Sequence, residues 1–190
     1  MTSQHITPRA EGAPGFETAA LFTSVEEEYA ALRGGAGIID RSARLRMLVG
    51  GAQAVETITG LVTSDAGALR AGGGQYAAAL TAKGKIIADV RIFARGDDLL
   101  LDTPAAAAAG FSAMIRKYVN PRLARYADVS AILRTVGVYG PRAHATLGSV
   151  LGAAGAPEAS VAALRGLADY HHLTFTVADA SVVVARAPDL

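Results

Sequence analysis

Between Gln75 and Thr103 three runs of alternating side chains, Tyr76–Leu80, Lys85–Phe93 and Asp98–Asp102, are separated by only two short breaks. A period of two predicts strands. The breaks Thr81-Ala82-Lys83-Gly84 and Arg95-Gly96-Asp97 carry hairpin chemistry, so the segment predicts three consecutive antiparallel strands. The central run divides into an apolar face, Ile86, Ala88, Val90 and Ile92, and a mixed face, Lys85, Ile87, Asp89, Arg91 and Phe93. Turns centred between Ala82 and Lys83 and between Arg95 and Gly96 place Tyr76 opposite Asp89 and Asp89 opposite Asp102. The same register pairs Val90 with Leu101 and Ile92 with Leu99, which keeps the apolar face continuous. Tyr76, Asp89 and Asp102 are then expected in one row across three strands. A phenol and two carboxylates so placed can hold the N–H edge of a heterocycle or a substrate amine. Two carboxylates on adjacent strands also repel, which raises one pKa unless a cation or a ligand N–H lies between them. The other reading of the row is a solvated outer face on which Arg91 and Lys85 compensate the acids.

The remainder of the chain predicts helices around this meander. Residues 1–16 read as a lead-in broken by Pro and Gly, and residues 17–190 as one domain. Ser24 is placed to cap a helix whose first turn holds Glu26, Glu27 and Glu28, and which stops at Gly34-Gly35. Leu45–Val49 reads as a strand, Ala52–Leu61 as a short helix and Ala105–Val119 as a helix after Pro104. Strands at Arg122–Val129 and Thr135–Tyr139, a helix near Arg142–Leu151 and a hairpin at Leu173–Arg186 follow. Hairpins mixed with helices predict an α+β fold, an antiparallel or mixed sheet with flanking helices, rather than a doubly wound parallel one.

Composition removes several classes. The chain of 190 residues contains no cysteine, so thiolate chemistry, disulfides and Cys-held metal centres have no ligands here. Eighteen Lys+Arg against 17 Asp+Glu do not make the basic footprint of a nucleic-acid binder. No run of about 18 apolar residues exists to span a membrane, and a soluble, cytoplasmic protein is expected. His171-His172 is the one histidine pair, and neighbours on a strand point to opposite faces, so no metal site is expected. Arg33-Gly34-Gly35-Ala36-Gly37 follows a helix and lacks a following Lys-Ser/Thr, and reads as a helix stop rather than a phosphate loop. Arg116, Lys117, Arg122 and Arg125 form a basic group, either a solvated helix end or an attractor for the carboxylates of an anionic ligand tail.

The strands and their neighbours resemble the folate-binding aminomethyltransferases, which include the glycine-cleavage T-protein, folate domains of dimethylglycine- and sarcosine-oxidising enzymes, and related iron–sulfur-assembly factors. The resemblance rests on Glu28-Tyr29-Ala30-Ala31-Leu32-Arg33 with Ala36-Gly37-Ile38-Ile39-Asp40, and on Gly60-Leu61-Val62-Thr63-Ser64-Asp65. It continues through Gly74-Gln75-Tyr76, Lys83-Gly84-Lys85-Ile86-Ile87-Ala88-Asp89 and Val138-Tyr139-Gly140-Pro141, and runs from Glu26 to Arg186. Lys83-Gly84-Lys85 and Leu101-Asp102 are similar to the assembly-factor branch in particular. The resemblance implies the first folate-binding domains of the aminomethyltransferase fold, incomplete at the C-terminus, with tetrahydrofolate as cofactor. It implies Asp89 as the catalytic acid, with Tyr76, Asp102 and, by a looser match, Tyr170 binding the cofactor. Ala88 stands where glycine-cleavage members carry a first aspartate, and Ser64 where they carry an asparagine.

Two functional readings follow. In the first the chain is a one-carbon (aminomethyl or methyl) transferase-like protein or subunit. It would act on a small-molecule amine or methyl donor, with a companion subunit or a second copy completing the site. In the second it is a non-catalytic assembly or scaffold protein of the same fold, or the fold reused for another small molecule.

Overall fold

The structure, a computed structural model, describes residues 22–188. The expected lead-in, residues 1–16, lies outside the described residues. In chain order the elements are α1 (Val25–Gly34), β1 (Gly37–Asp40), β2 (Leu45–Gly50), α2 (Ala54–Thr59), β3 (Gly74–Leu80), β4 (Ile86–Ala94) and β5 (Asp98–Thr103). There follow α3 (Ala108–Tyr118), β6 (Arg125–Asp128), β7 (Val136–Tyr139), α4 (Ala143–Ala153), α5 (Glu158–Ala163), β8 (His172–Val177) and β9 (Ala180–Ala185). The fold is α+β. A five-stranded antiparallel sheet has the order β3-β4-β5-β2-β6, and β1-β7 and β8-β9 form separate two-stranded ribbons.

Alternation decides which face of the large sheet is dry. Met47 and Val49, Ala77 and Ala79, Ala88, Val90 and Ile92, and Leu99 and Leu101 all turn to the same side. There they meet Ile58 of α2 and Phe111, Met114 and Ile115 of α3, spaced three and one apart so that they share one helix face. Three of the strand residues are alanines, which leaves volume for the large Phe111 ring in a close-packed core. A second core joins Leu151, Ala156, Leu164 and Phe175 with Leu147, Val161 and Val184, and binds α4 and α5 to the β8-β9 ribbon. The α5 helix, which its alanine and glycine neighbours hide in the sequence, starts directly after Pro157.

The three-strand meander forms as its alternation predicts, with its register displaced. Tyr76 pairs with Arg91 and Ala78 with Asp89, while Arg91 pairs with Asp102 and Ile92 with Leu101. Two local events account for the first hairpin. Its loop is three residues long: Thr81 N donates to Lys85 O at 2.8 Å, and Gly84 has φ +76°. The ladder then passes from Leu80–Ile86 to Ala79–Ala88, leaving Ile87 as the extra residue of a β-bulge. The bulge turns Ile87 toward the main core and leaves Ile86, expected on the buried face, 73% exposed. In the second hairpin Arg95 N donates to Asp98 O at 2.9 Å around a two-residue loop, Gly96-Asp97, with φ +103° at Gly96. Beyond the bulge each hairpin is displaced by two residues in pairing, so from Ala88 to Ile92 every side chain keeps its face and only its partner changes.

Candidate ligand site on the second face of the sheet

The face away from the main core carries a row that crosses four strands: Tyr76 on β3, Arg91 on β4, Asp102 on β5 and Arg46 on β2. The expected row of Tyr76, Asp89 and Asp102 is corrected at its centre. Arg91 stands between the phenol and the carboxylate, and Asp89 lies two residues further along β4 on the same face. The direct repulsion expected between the two carboxylates is thereby replaced by an ion pair.

Asp102 is 7% exposed and its charge is met inside the protein. Arg44 Nε lies 2.9 Å from both carboxylate oxygens, and Arg91 Nη1 lies 3.6 Å from Oδ2. Arg46, 3% exposed, is held by the carbonyls of Arg41, Ser42 and Ser130 and by Thr135 Oγ1, all at 2.8–3.3 Å. Burial pushes the Arg46 guanidinium below its ordinary range, against the upward pull of Asp102 and Asp128. Thus the second face is a solvated surface at neither Asp102 nor Arg46. The alternation Arg44-Leu45-Arg46-Met47 was the signal for these arginines, since cations at period two leading into a buried strand call for a buried acid.

Asp89 differs. Its backbone carbonyl accepts Thr103 Oγ1 at 2.6 Å, while its half-buried carboxylate makes no hydrogen bond or ion pair to a described residue. Ala88 beside it points into the main core, so the missing first aspartate falls on the opposite face of the sheet from Asp89. Tyr76 is 44% exposed. Desolvation, then the Asp89 charge and Tyr170, push its phenol above the ordinary range, against a downward pull from Arg91.

Tyr170 is more than 90 residues from Tyr76 in sequence, yet their ring centroids are 6.2 Å apart at an interplanar angle of 35°. The segment that carries Tyr170 lies against the start of β3, where His172 N donates to Gly72 O at 2.8 Å. The structure therefore sets Tyr76 beside Tyr170 and within electrostatic reach of Asp89, and places Asp102 two strands across the sheet from Tyr76 in an ion-pair cluster. Of the two histidines, His171 is exposed and His172 is buried edge-on to Phe93, with centroids 5.9 Å apart. The basic group divides: Arg122 and Arg125 line an open cleft with Gln53 beside Gly51, at the opposite end of the sheet from Asp89.

Comparison with known proteins identifies the class to which an α+β unit of this topology belongs. The family model described as the GCVT N-terminal domain matches residues 7–187, and the chain belongs to that family. It is 28% identical over 139 residues to an aminomethyltransferase of Bacillus mycoides (strain KBAB4), covering 72% of this chain and 37% of that protein. An aminomethyltransferase of Nostoc sp. (strain PCC 7120) is 27% identical over 135 residues, covering 68% and 36%. The glycine cleavage system aminomethyltransferase T of Bartonella henselae superposes with a TM-score of 0.68 at 21% identity, over 77% of this chain and 40% of that one. A chain of the heterotetrameric sarcosine oxidase of Corynebacterium sp. U-96 superposes with a TM-score of 0.54 at 14% identity, over 86% and 78%. The chain thus has the fold of the N-terminal part of aminomethyltransferases, and spans less than half the length of those it matches. No helix among the described residues is long and apolar enough to cross a membrane.

Proposed function

We propose that Tyr76, Asp89 and Tyr170 bind a tetrahydrofolate-type cofactor and that the chain serves one-carbon (aminomethyl or methyl) transfer. The observation that carries this reading is the open Asp89 carboxylate beside the Tyr76–Tyr170 pair, in a chain of the GCVT N-terminal domain family. The residues fit the group. A flat heterocycle with N–H donors wants an acceptor that is not already engaged and aromatic faces to lie against, and these three side chains supply both. Bound there, the cofactor would supply the nitrogen that carries the one-carbon unit.

The protein's part is placement. Asp89 accepts an N–H or takes up a proton at its carboxylate, and the two tyrosines restrict the plane of the ligand. Asp102 acts through Arg91, which it holds in the row between Tyr76 and Arg46. The donor would be a small-molecule amine or methyl compound. A companion subunit or a second copy of the chain would complete the site.

Calorimetric titration with 5-formyltetrahydrofolate, a stable reduced folate, tests the reading. Micromolar binding that weakens at least about tenfold, or ~1.4 kcal/mol, in Asp89→Ala is expected. A folded chain that binds no reduced folate, or an Asp89→Ala chain that binds it undiminished, would sink the proposal.

A further inference from the structure

The sequence Gly72-Gly73-Gly74 looks like a turn and in the structure does something more specific. Gly72 N donates to Ala94 O and Ala94 N donates to Gly73 O, both at 2.9 Å, so the run continues the β3–β4 ladder. On its other side Gly72 O accepts His172 N at 2.8 Å. A Cβ on Gly74 would overlap the Tyr170 carbonyl oxygen and lie 2.6 Å from the Ile92 carbonyl oxygen, and backbone cannot step aside as a flexible side chain can. Tyr170 itself has φ +61°, a conformation a bulky residue adopts only where its surroundings impose it. Its amide donates to Arg186 O at 2.6 Å, and the Arg186 side chain pairs with Asp169 at 2.8 Å.

We infer that the Gly72–Gly74 run is a slot that seats the Asp169–His172 segment, and that Gly74 is a positioning residue which acts through Tyr170. At Gly74 the missing side chain lets one backbone approach another closely enough for the Tyr170 ring to stand beside Tyr76. The aromatic side of the site is therefore composite: one ring belongs to the large sheet and the other to the unit built around the second core. The ligand readout rests on the function proposed above; the seating of Tyr170 does not.

The chain has no tryptophan, so Tyr170→Trp introduces a single reporter. In that background Gly74→Ala is expected to move the emission toward that of an exposed indole while circular dichroism stays unchanged. By titration with 5-formyltetrahydrofolate, Gly74→Ala is expected to weaken binding about tenfold in the wild-type chain and to have no further effect in Tyr170→Ala, the non-additivity of residues acting as one unit. Unmoved emission in a folded Gly74→Ala chain, or an undiminished effect in Tyr170→Ala, overturns the inference. Should Gly74→Ala fail to fold, Gly72→Ala decides by the same readings. An added Cβ there has room, 3.5 Å from His172 O, but φ +84° strains the carbonyl that holds His172. If the wild-type chain binds no reduced folate, the function fails while the emission still decides whether the slot seats Tyr170.

Discussion

Asp102 faces the guanidinium groups of Arg44 and Arg91 directly and lies opposite Arg46 in the strand register, all in a setting from which water is largely excluded. A buried carboxylate in such a place is worth less for the attraction it gains than for the unpaired charge its loss would leave. Asp102→Asn keeps the shape and removes the charge, so Arg44 would stay largely buried without its anion and Arg46 would lose one of the charges that offset its burial. We expect a loss of about 3 kcal/mol, read as a lower midpoint in urea with an unchanged slope. Asp89→Asn, at a carboxylate with no described partner, should leave that midpoint within about 0.5 kcal/mol of wild type, since nothing inside the fold depends on it. The pair separates an acid that serves the fold from one that is open to a ligand. Alternation placed both on one face from the sequence alone; their different partners were not legible there. An ion pair depends on which side chain stands across the strand, and a displacement of two residues exchanges partners without exchanging faces.

The hairpins are where that displacement arises. Gly96 has φ +103° with no atom within 4 Å of where a Cβ would stand, so Gly96→Ala tests the backbone conformation by itself. A cost of about 1 kcal/mol is expected in thermal or urea unfolding, from forcing an L-residue into that region. Gly84, at φ +76° and equally open, should behave alike. The β8-β9 ribbon turns through Ala178 and Asp179, both at positive φ, where Asn-Gly would be the favoured pair. Other elements follow directly from local chemistry. Ser24 Oγ accepts Glu27 N and the Glu27 carboxylate accepts Ser24 N, the reciprocal cap that the spacing Ser-x-x-Glu encodes. The bulge at Ile87 left no such trace, because nothing in Lys85-Ile86-Ile87-Ala88 says which isoleucine is the extra one.

At the scale of the molecule the unit built around the second core joins the large sheet where the Asp169–His172 segment lies on the start of β3 and the end of β4. His172 marks the junction: it is 5% exposed, packed edge-on against Phe93, and its Nδ1 has no hydrogen-bond partner among the described residues. Burial first, then Arg95 and His171, hold its pKa below the ordinary histidine value of 6.5. The sign follows from linkage. A group that resists protonation only when folded leaves stability intact above its unfolded pKa and withdraws it as pH falls toward the lower folded value. Melting temperature is therefore expected to drop as pH is lowered below 6.5, with the drop reduced in His172→Gln. An identical pH profile for the two chains would show that His172 does not set it.

Short-range periodicity in the sequence sufficed for the α+β class, the meander, the faces of its strands outside the bulge, and the candidate residues Tyr76, Asp89 and Asp102 on one of them. Period two is a property of the extended backbone, so it survives any register. Packing, in contrast, settled that Asp102 pairs with arginines, that the Asp89 carboxylate has no partner among the described residues, and that Tyr170 stands 6.2 Å from Tyr76. Those outcomes depend on loop lengths, one bulge and a close backbone approach at Gly74, distances set by packing between segments far apart in the chain, which local preference does not encode.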